Sequence, residues 1–247
     1  MNGAEQNDRL PESIGGLIGF AFATWWQRAP LYLGVGVVVF ALQALAQAFA
    51  PDNAPVAVAS GVVGDALMTA IVALHIATRA TGGDVSTRRL VSAGIVRWGD
   101  VTGATALATV AGVFVAPLMI PGSDQTWLFA LLPAWLLMGA LSYAGPVTAI
   151  THDRPIVAIA TGFGRALLLG LRFANLGRTF VAGAWVVLVF YLQTLVLLAL
   201  HARHVPHELF WANAPLDALT VGPLAAILTA FALDAARRLR ERTAPPT

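Results

Sequence analysis

Six stretches of this chain run for about twenty residues with hardly a charged side chain among them: 31–50, 56–78, 101–120, 126–150, 179–200 and 216–236. About twenty apolar residues wound as an α-helix cover the ~30 Å of hydrocarbon in a bilayer. Hydrocarbon offers the backbone no water to bond, so runs of this kind have to be helices. A closed barrel would instead read as short segments of alternating hydrophobicity, and these runs are continuous. Proline and glycine punctuate the links at 51–55 and 121–125, and a longer link covers 201–215.

The composition agrees. Hydrophobic residues make up 57% of the chain and charged ones 11%, against about 25% charged in ordinary soluble domains; the mean hydropathy is +0.73. There is no cysteine, which excludes disulfides, thiolate metal sites and a cysteine nucleophile. All fifteen basic residues are arginine. The net charge of +2 does not indicate nucleic acid, because the arginines sit beside the apolar runs, where membrane topology places them. The first ten residues are polar and partly acidic, unlike the basic start of a secretory signal.

Arginine also sets the orientation. Arg9 and Arg28 precede the first run; Arg79, Arg88, Arg89 and Arg97 lie between the second and third; Arg154, Arg165, Arg172 and Arg178 lie between the fourth and fifth; Arg237, Arg238, Arg240 and Arg242 follow the sixth. These fourteen fall on one side of a six-span arrangement, and Arg203 alone falls on the other. Positive charge marks the cytoplasmic side, so both termini are expected in the cytoplasm and the protein in a bacterial cytoplasmic membrane.

The arginine-rich connections carry helical patterns of their own. Ile14, Leu17, Ile18, Ala21, Phe22 and Trp25 share one helical face, ending in the aromatic pair Trp25 and Trp26. In 86–98, Leu90, Val91, Ile95 and Trp98 are expected to face inward while Arg88, Arg89 and Ser92 face water. In 155–173, Pro155 suits a first helical turn, Ile156, Ile159, Phe163, Leu167 and Leu171 form an apolar stripe, and Arg165 and Arg172 share a face. Each segment is expected to lie along the cytoplasmic surface. The fold class expected is therefore all-α: six transmembrane helices in three hairpins, each preceded by an amphipathic surface helix, within one domain of three repeats, 11–79, 84–154 and 155–238.

The stretch 146–159, Pro-Val-Thr-Ala-Ile-Thr-His-Asp-Arg-Pro-Ile-Val-Ala-Ile, leading into Gly164-Arg165-Ala166-Leu167-Leu168-Leu169-Gly170, resembles the segment after the fourth span in a group of bacterial six-span proteins. That group includes the membrane domain joined to some glycerophosphodiester phosphodiesterases, together with stand-alone relatives. The resemblance implies a membrane-embedded module. This chain carries no phosphodiesterase domain, so no catalytic activity is implied.

Polar residues inside the spans are the chemical leads. Asp65 would serve as a proton or cation site, or as a neutral hydrogen-bonding group beside Gly61 and Gly64. Gln43 and Gln47, one turn apart, and Gln193 would bond to it or join helices. His75 and His152, near the cytoplasmic ends of two spans, are a possible haem or pigment pair, or two interfacial histidines. His201, His204 and His207, followed by Glu208, would suit zinc or copper if aligned, although Pro206 interrupts any helix that would align them. Asp52, Asp124 and Asp217 fall at helix ends, where capping is the ordinary role. No phosphate loop and no serine-centred nucleophile motif occurs, Gly162-Phe163-Gly164 lacking both the preceding strand and the lysine. Small residues at Gly34, Gly36, Gly61, Gly64, Gly103, Gly112, Gly139 and Gly183 permit close helix contact.

These features point to a non-enzymatic integral membrane module acting as subunit, scaffold or organiser of a membrane complex, in contact with lipids and with other membrane subunits. A small transporter using Asp65 and a haem- or pigment-contacting subunit stand as alternatives. No cofactor is named by the sequence.

Overall fold

The computed structural model describes residues 10–49, 54–115, 127–151, 155–202 and 213–243. Among them every regular element is a helix: α1 (Ile14–Trp26), α2 (Ala29–Phe49), α3 (Ala54–Ala80), α4 (Thr87–Val115), α5 (Trp127–Leu141), α6 (Ala144–Ile150), α7 (Pro155–Gly170), a 3-10 turn (Phe173–Asn175), α8 (Leu176–Ala202) and α9 (Asn213–Thr243). Four stretches are long and apolar enough to cross a membrane: Ala59–Ala80, Thr87–Val115, Ala130–Ile150 and Leu219–Leu239.

Local signals explain several ends. Ser13 caps α1, its Oγ accepting from the backbone N–H of Gly16 at 3.0 Å. At the end of α3, Gly83 N donates to the Thr78 carbonyl at 3.0 Å and Gly82 N to the Arg79 carbonyl at 3.0 Å. That paired closure needs a left-handed residue, and Gly82 has φ 78°.

α3 is the central helix, packed by α2, α4, α6 and α9. Its core side chains Met68, Ile71, Val72 and Ile76 are buried against Tyr32 and Val39 of α2 and Ile227 and Phe231 of α9.

The three segments expected as surface helices pack against the rest of the bundle. α1 runs antiparallel to α9: the carbonyls just before it reach Arg237 and Arg238, and Trp25 near its end lies where a Cβ on Gly222 would meet it. Leu17, Ala21 and Trp25 are fully buried along this contact. The segment has apolar residues around its circumference and no charge from Ile14 to Trp26, so this face is free to pack against α9.

The segment 86–98 does not form a helix of its own. α4 continues unbroken through it to Val115, because no proline intervenes, and Arg97 pairs with Asp100 at 3.7 Å across the expected break. Ile95, expected inside, is exposed, while Leu90 and Gly94 are buried. Gly94 sits directly on Ile71 of α3, so the small residue selects the buried face.

α7 likewise turns its small residues inward. Gly162, Ala166 and Gly170 repeat every four residues and are buried. A side chain on Gly162 would collide with Thr148 of α6, and one on Gly170 would meet Ala140 Cβ at 2.6 Å. Leu168 and Leu171 are left exposed.

Finally, the expected fourth span is two helices. α5 stops at Leu141 and α6 starts at Ala144. Pro146 has no N–H to give the Ser142 carbonyl, and its ring crowds that turn. Tyr143 N bonds the Ala140 carbonyl at 3.2 Å, which tightens the last turn of α5.

Candidate functional site

Three polar places stand out against this apolar framework. The first joins the two ends of the described chain. Asp234 on α9 is fully buried, and three guanidinium groups converge on it: Arg178 Nε at 2.6 Å, Arg237 Nη2 at 2.5 Å and Arg238 Nε at 2.9 Å. One carboxylate cannot balance three cations, and backbone carbonyls supply the remaining acceptors. Arg237 Nη1 donates to the Leu10 carbonyl at 2.9 Å, and Arg178 and Arg238 both donate to the Glu12 carbonyl, at 3.0 and 3.2 Å. A charge taken out of water is tolerated only when paired and hydrogen-bonded in this way.

The second lies where α1 passes into α2. Tyr32 Oη is 2.6 Å from His75 Nδ1, both residues being buried, and Trp25 stacks on the Tyr32 ring with centroids 6.1 Å apart. Beside them Arg28 reaches across to the connection between α3 and α4. It donates to Asp84 Oδ1 at 3.0 Å, to Thr87 Oγ1 at 3.1 Å and to the Val85 carbonyl. Arg79 donates to Gln27 Oε1 at 3.1 Å. Asp84 is exposed; the N–H of Val85 and the nearby Arg28 hold its carboxyl below the ordinary carboxylate range.

The third is a cavity of about 390 Å3 between the long helices, within the size range of small-ligand pockets. Thr69 of α3, Thr105 and Thr109 of α4, Ser142 at the α5–α6 break, Val186 of α8 and Leu228 of α9 line it. Every wall residue from α3, α4, α5, α6 and α9 falls inside one of the four membrane-length stretches. No charged side chain lines it. Thr109 Oγ1 donates to the Thr105 carbonyl at 2.9 Å and Ser142 Oγ to the Gly139 carbonyl at 2.6 Å, so both hydroxyl protons are already used within their own helices.

The residues singled out by sequence are scattered around these places. Asp65 is half-buried on α3, is not without a partner, and is not in the cavity wall. Gln43 lies against the same helix, its Nε2 3.4 Å from where a Cβ on Gly64 would sit and 3.9 Å from that on Gly61. His75 is engaged by Tyr32. His152, His204 and His207 lie outside the described residues, as do the side chains of Gln47, Gln193 and His201. Among the described residues no three His, Asp or Glu side chains gather to hold a metal ion. Arg88, Arg89, Arg165 and Arg172 are exposed.

Sequence reasoning missed Asp234, Arg178, Tyr32 and the hydroxyl group cluster. Asp234 did carry a local signal, standing three and four residues before Arg237 and Arg238 on one helix. The Ser142–Pro146 spacing likewise marks a carbonyl deprived of its helical donor. Arg178 has no local signal, because its partner lies fifty-six residues further on.

Comparison with protein-family models, with curated proteins and with solved structures gives no match to this chain.

Proposed function

We propose that the chain is a non-enzymatic integral membrane module that works by binding, holding a lipid between its helices and offering its outer faces to surrounding lipid and to other subunits of a membrane complex. The observation that carries this reading is the uncharged cavity, whose wall is built from the interior of all four membrane-length stretches. α2 with 21 residues and α8 with 27 would be about 31 and 40 Å long at 1.5 Å per residue. They supply the two further spans of a six-span arrangement in a bacterial cytoplasmic membrane. The units 11–79, 84–154 and 155–238 then contribute two spans each, in keeping with the resemblance to the six-span membrane domains.

A second reading, a small permease, is favoured by one feature: the break between α5 and α6 borders the cavity. Broken helices at membrane depth often form transport sites. Such a permease would use the hydroxyl-lined cavity and not Asp65, which does not line it.

Native mass spectrometry of the protein taken from a native membrane extract tests the main reading. A lipid or a protein partner retained at fixed ratio is expected, and Ala108→Trp, which fills the cavity, should release the lipid. Retention of neither overturns the reading. Lipid or solute flux in reconstituted vesicles would promote the permease.

A further inference from the structure

We propose that the cavity takes a neutral lipid that carries a hydroxyl group, with its hydrocarbon among the apolar side chains and its hydroxyl on the Thr109–Ser142 wall. This rests on the reading of the cavity as a binding site.

The chemistry of the wall makes the selection. Its apolar wall, with Ala108, Val113, Leu141 and Leu228, suits a hydrocarbon chain. It contains no guanidinium, imidazole or amine. A carboxylate or phosphate inside it would lose its water and find no cation, which excludes charged ligands. A plain hydrocarbon would fit, but it would leave the polar atoms of the wall unanswered.

Those atoms are mainly acceptors. The hydroxyl protons of Thr109 and Ser142 are given to the Thr105 and Gly139 carbonyls, so each oxygen presents only lone pairs outward. The Ser142 carbonyl has no helical donor either, because the residue four positions on is Pro146, and no backbone N–H among the described residues replaces it. A group of acceptors in a water-poor setting recognises a donor, and an uncharged wall recognises an uncharged one. An alcohol is the simplest group that is both, and it adds little to the cost of burying the chain. Thr69 and Thr105 can rotate their hydroxyls to donate to the alcohol oxygen, which then has both of its roles filled.

The experiment compares three photoreactive probes of equal chain length on the full-length protein in lipid nanodiscs: a long-chain alcohol, the corresponding carboxylic acid and the corresponding alkane. Labelled peptides are mapped by mass spectrometry. Saturable labelling of the α4 and α5 wall by the alcohol is expected at about tenfold lower concentration than by the alkane or the acid, the preference that one or two hydrogen bonds provide. Thr109→Val and Ser142→Ala should each bring the alcohol close to the alkane while leaving alkane labelling unchanged, which also shows that the cavity has kept its shape. Equal labelling by all three probes would overturn the hydroxyl preference and leave the binding reading standing. An alcohol preference untouched by both substitutions would overturn the assignment to this wall. Absence of saturable labelling by any probe would overturn this proposal and the binding reading together.

Discussion

Arg178 Nε, at the start of α8, lies 2.6 Å from Oδ2 of Asp234, which is fully buried on α9. The pair is the centre of a lock, because Arg237 and Arg238 bind the same carboxylate and all three arginines also hold the backbone at Leu10–Glu12. Removing the carboxylate leaves three cations facing one another with no counter-charge. Asp234→Leu should therefore destabilise the protein by about 3–5 kcal/mol, the cost of breaking a buried pair from one side. Arg238→Gln, at the most exposed member, should cost no more than about 1 kcal/mol. Thermal unfolding in detergent measures both. Limited proteolysis near Leu10 should become faster in the first variant; equal protection in Asp234→Leu and the native protein would show that the lock does not hold the N-terminal segment.

Close helix contact gives a second expectation. A side chain at Gly139 would collide with the Thr179 carbonyl of α8 and approach Gly183 N at 3.1 Å. Both are backbone atoms of a packed helix and cannot swing aside. Gly139→Ala should cost about 1–3 kcal/mol through overpacking. Gly34 on α2 has open space at the same position, so Gly34→Ala should be neutral or stabilise by up to about 1 kcal/mol through helix propensity. The midpoint of thermal unfolding should fall for Gly139→Ala and stay or rise for Gly34→Ala.

The contrast between these glycines shows what could be read in advance. Long apolar runs dictate helices because the bilayer removes every other option for the backbone, and the four membrane-length stretches follow from composition alone. Which face of each helix is buried does not follow. In water the apolar stripe turns inward, but here Leu168 and Val96 are exposed and the small residues Gly94, Gly162 and Gly170 take the inner face. Of the stripe expected on α7, Ile159 packs on Gly103 of α4 and Phe163 against the core, while Leu171 is exposed. The sites obey the same distinction. Asp65 was conspicuous because it stands alone in an apolar run, whereas Asp234 beside Arg237 and Arg238 looks like an ordinary charged helix end until Arg178 arrives from another helix.

The Tyr32–His75 pair should behave as a coupled unit. Their 2.6 Å contact is buried, and Tyr32→Phe removes the hydroxyl while keeping the ring that stacks on Trp25. His75 Nδ1 then loses its partner in a dry setting, at a cost of about 1–3 kcal/mol. His75→Phe should carry a similar cost, and the double substitution should cost clearly less than the two added together. Additive values in the double-mutant cycle would mean that the contact contributes nothing of its own.

Asp84 sets a pH dependence at the α3–α4 connection. The Val85 N–H comes first, followed among the favourable contacts by Arg28, in holding its carboxyl below the ordinary carboxylate value. A carboxyl with a depressed folded-state pKa contributes stability that is fully present above the unfolded value. That contribution is lost as pH falls through the lower, folded value. Protection against hydrogen exchange at 83–87, taken relative to the intrinsic exchange rate at each pH, should thus be unchanged from pH 8 to pH 5 and should fall only below the ordinary carboxylate range. Asp84→Asn should abolish that acid dependence. Loss of protection beginning near pH 6 in the native protein would point to another group.

The sidedness of the chain can be tested by the contact that joins its ends. The Leu10 carbonyl accepts from Arg237 at 2.9 Å and the Glu12 carbonyl from Arg238 at 3.2 Å, so no bilayer can lie between the N-terminal segment and the end of α9. Both ends are therefore expected on one side, with an even number of crossings. The arginine distribution predicts the cytoplasmic side for the termini, since in the proposed six-span arrangement fourteen of the fifteen fall with them and Arg203 falls opposite. The stretch Leu219–Leu239 of α9 is long enough to cross, so a reporter ahead of it is expected to read the side opposite the tail. Reporter fusions at Met1 and Thr247 should therefore both register the cytoplasm, and one inserted at His204 should register the opposite side. A cytoplasmic signal at His204 would remove α9 from the list of spans. Opposite signals at the two termini would contradict the Arg237–Leu10 contact itself. Arg237→Ala together with Arg238→Ala should leave the sidedness unchanged, because twelve arginines on that side still outweigh Arg203, while making the segment before α1 open to protease from the cytoplasmic face.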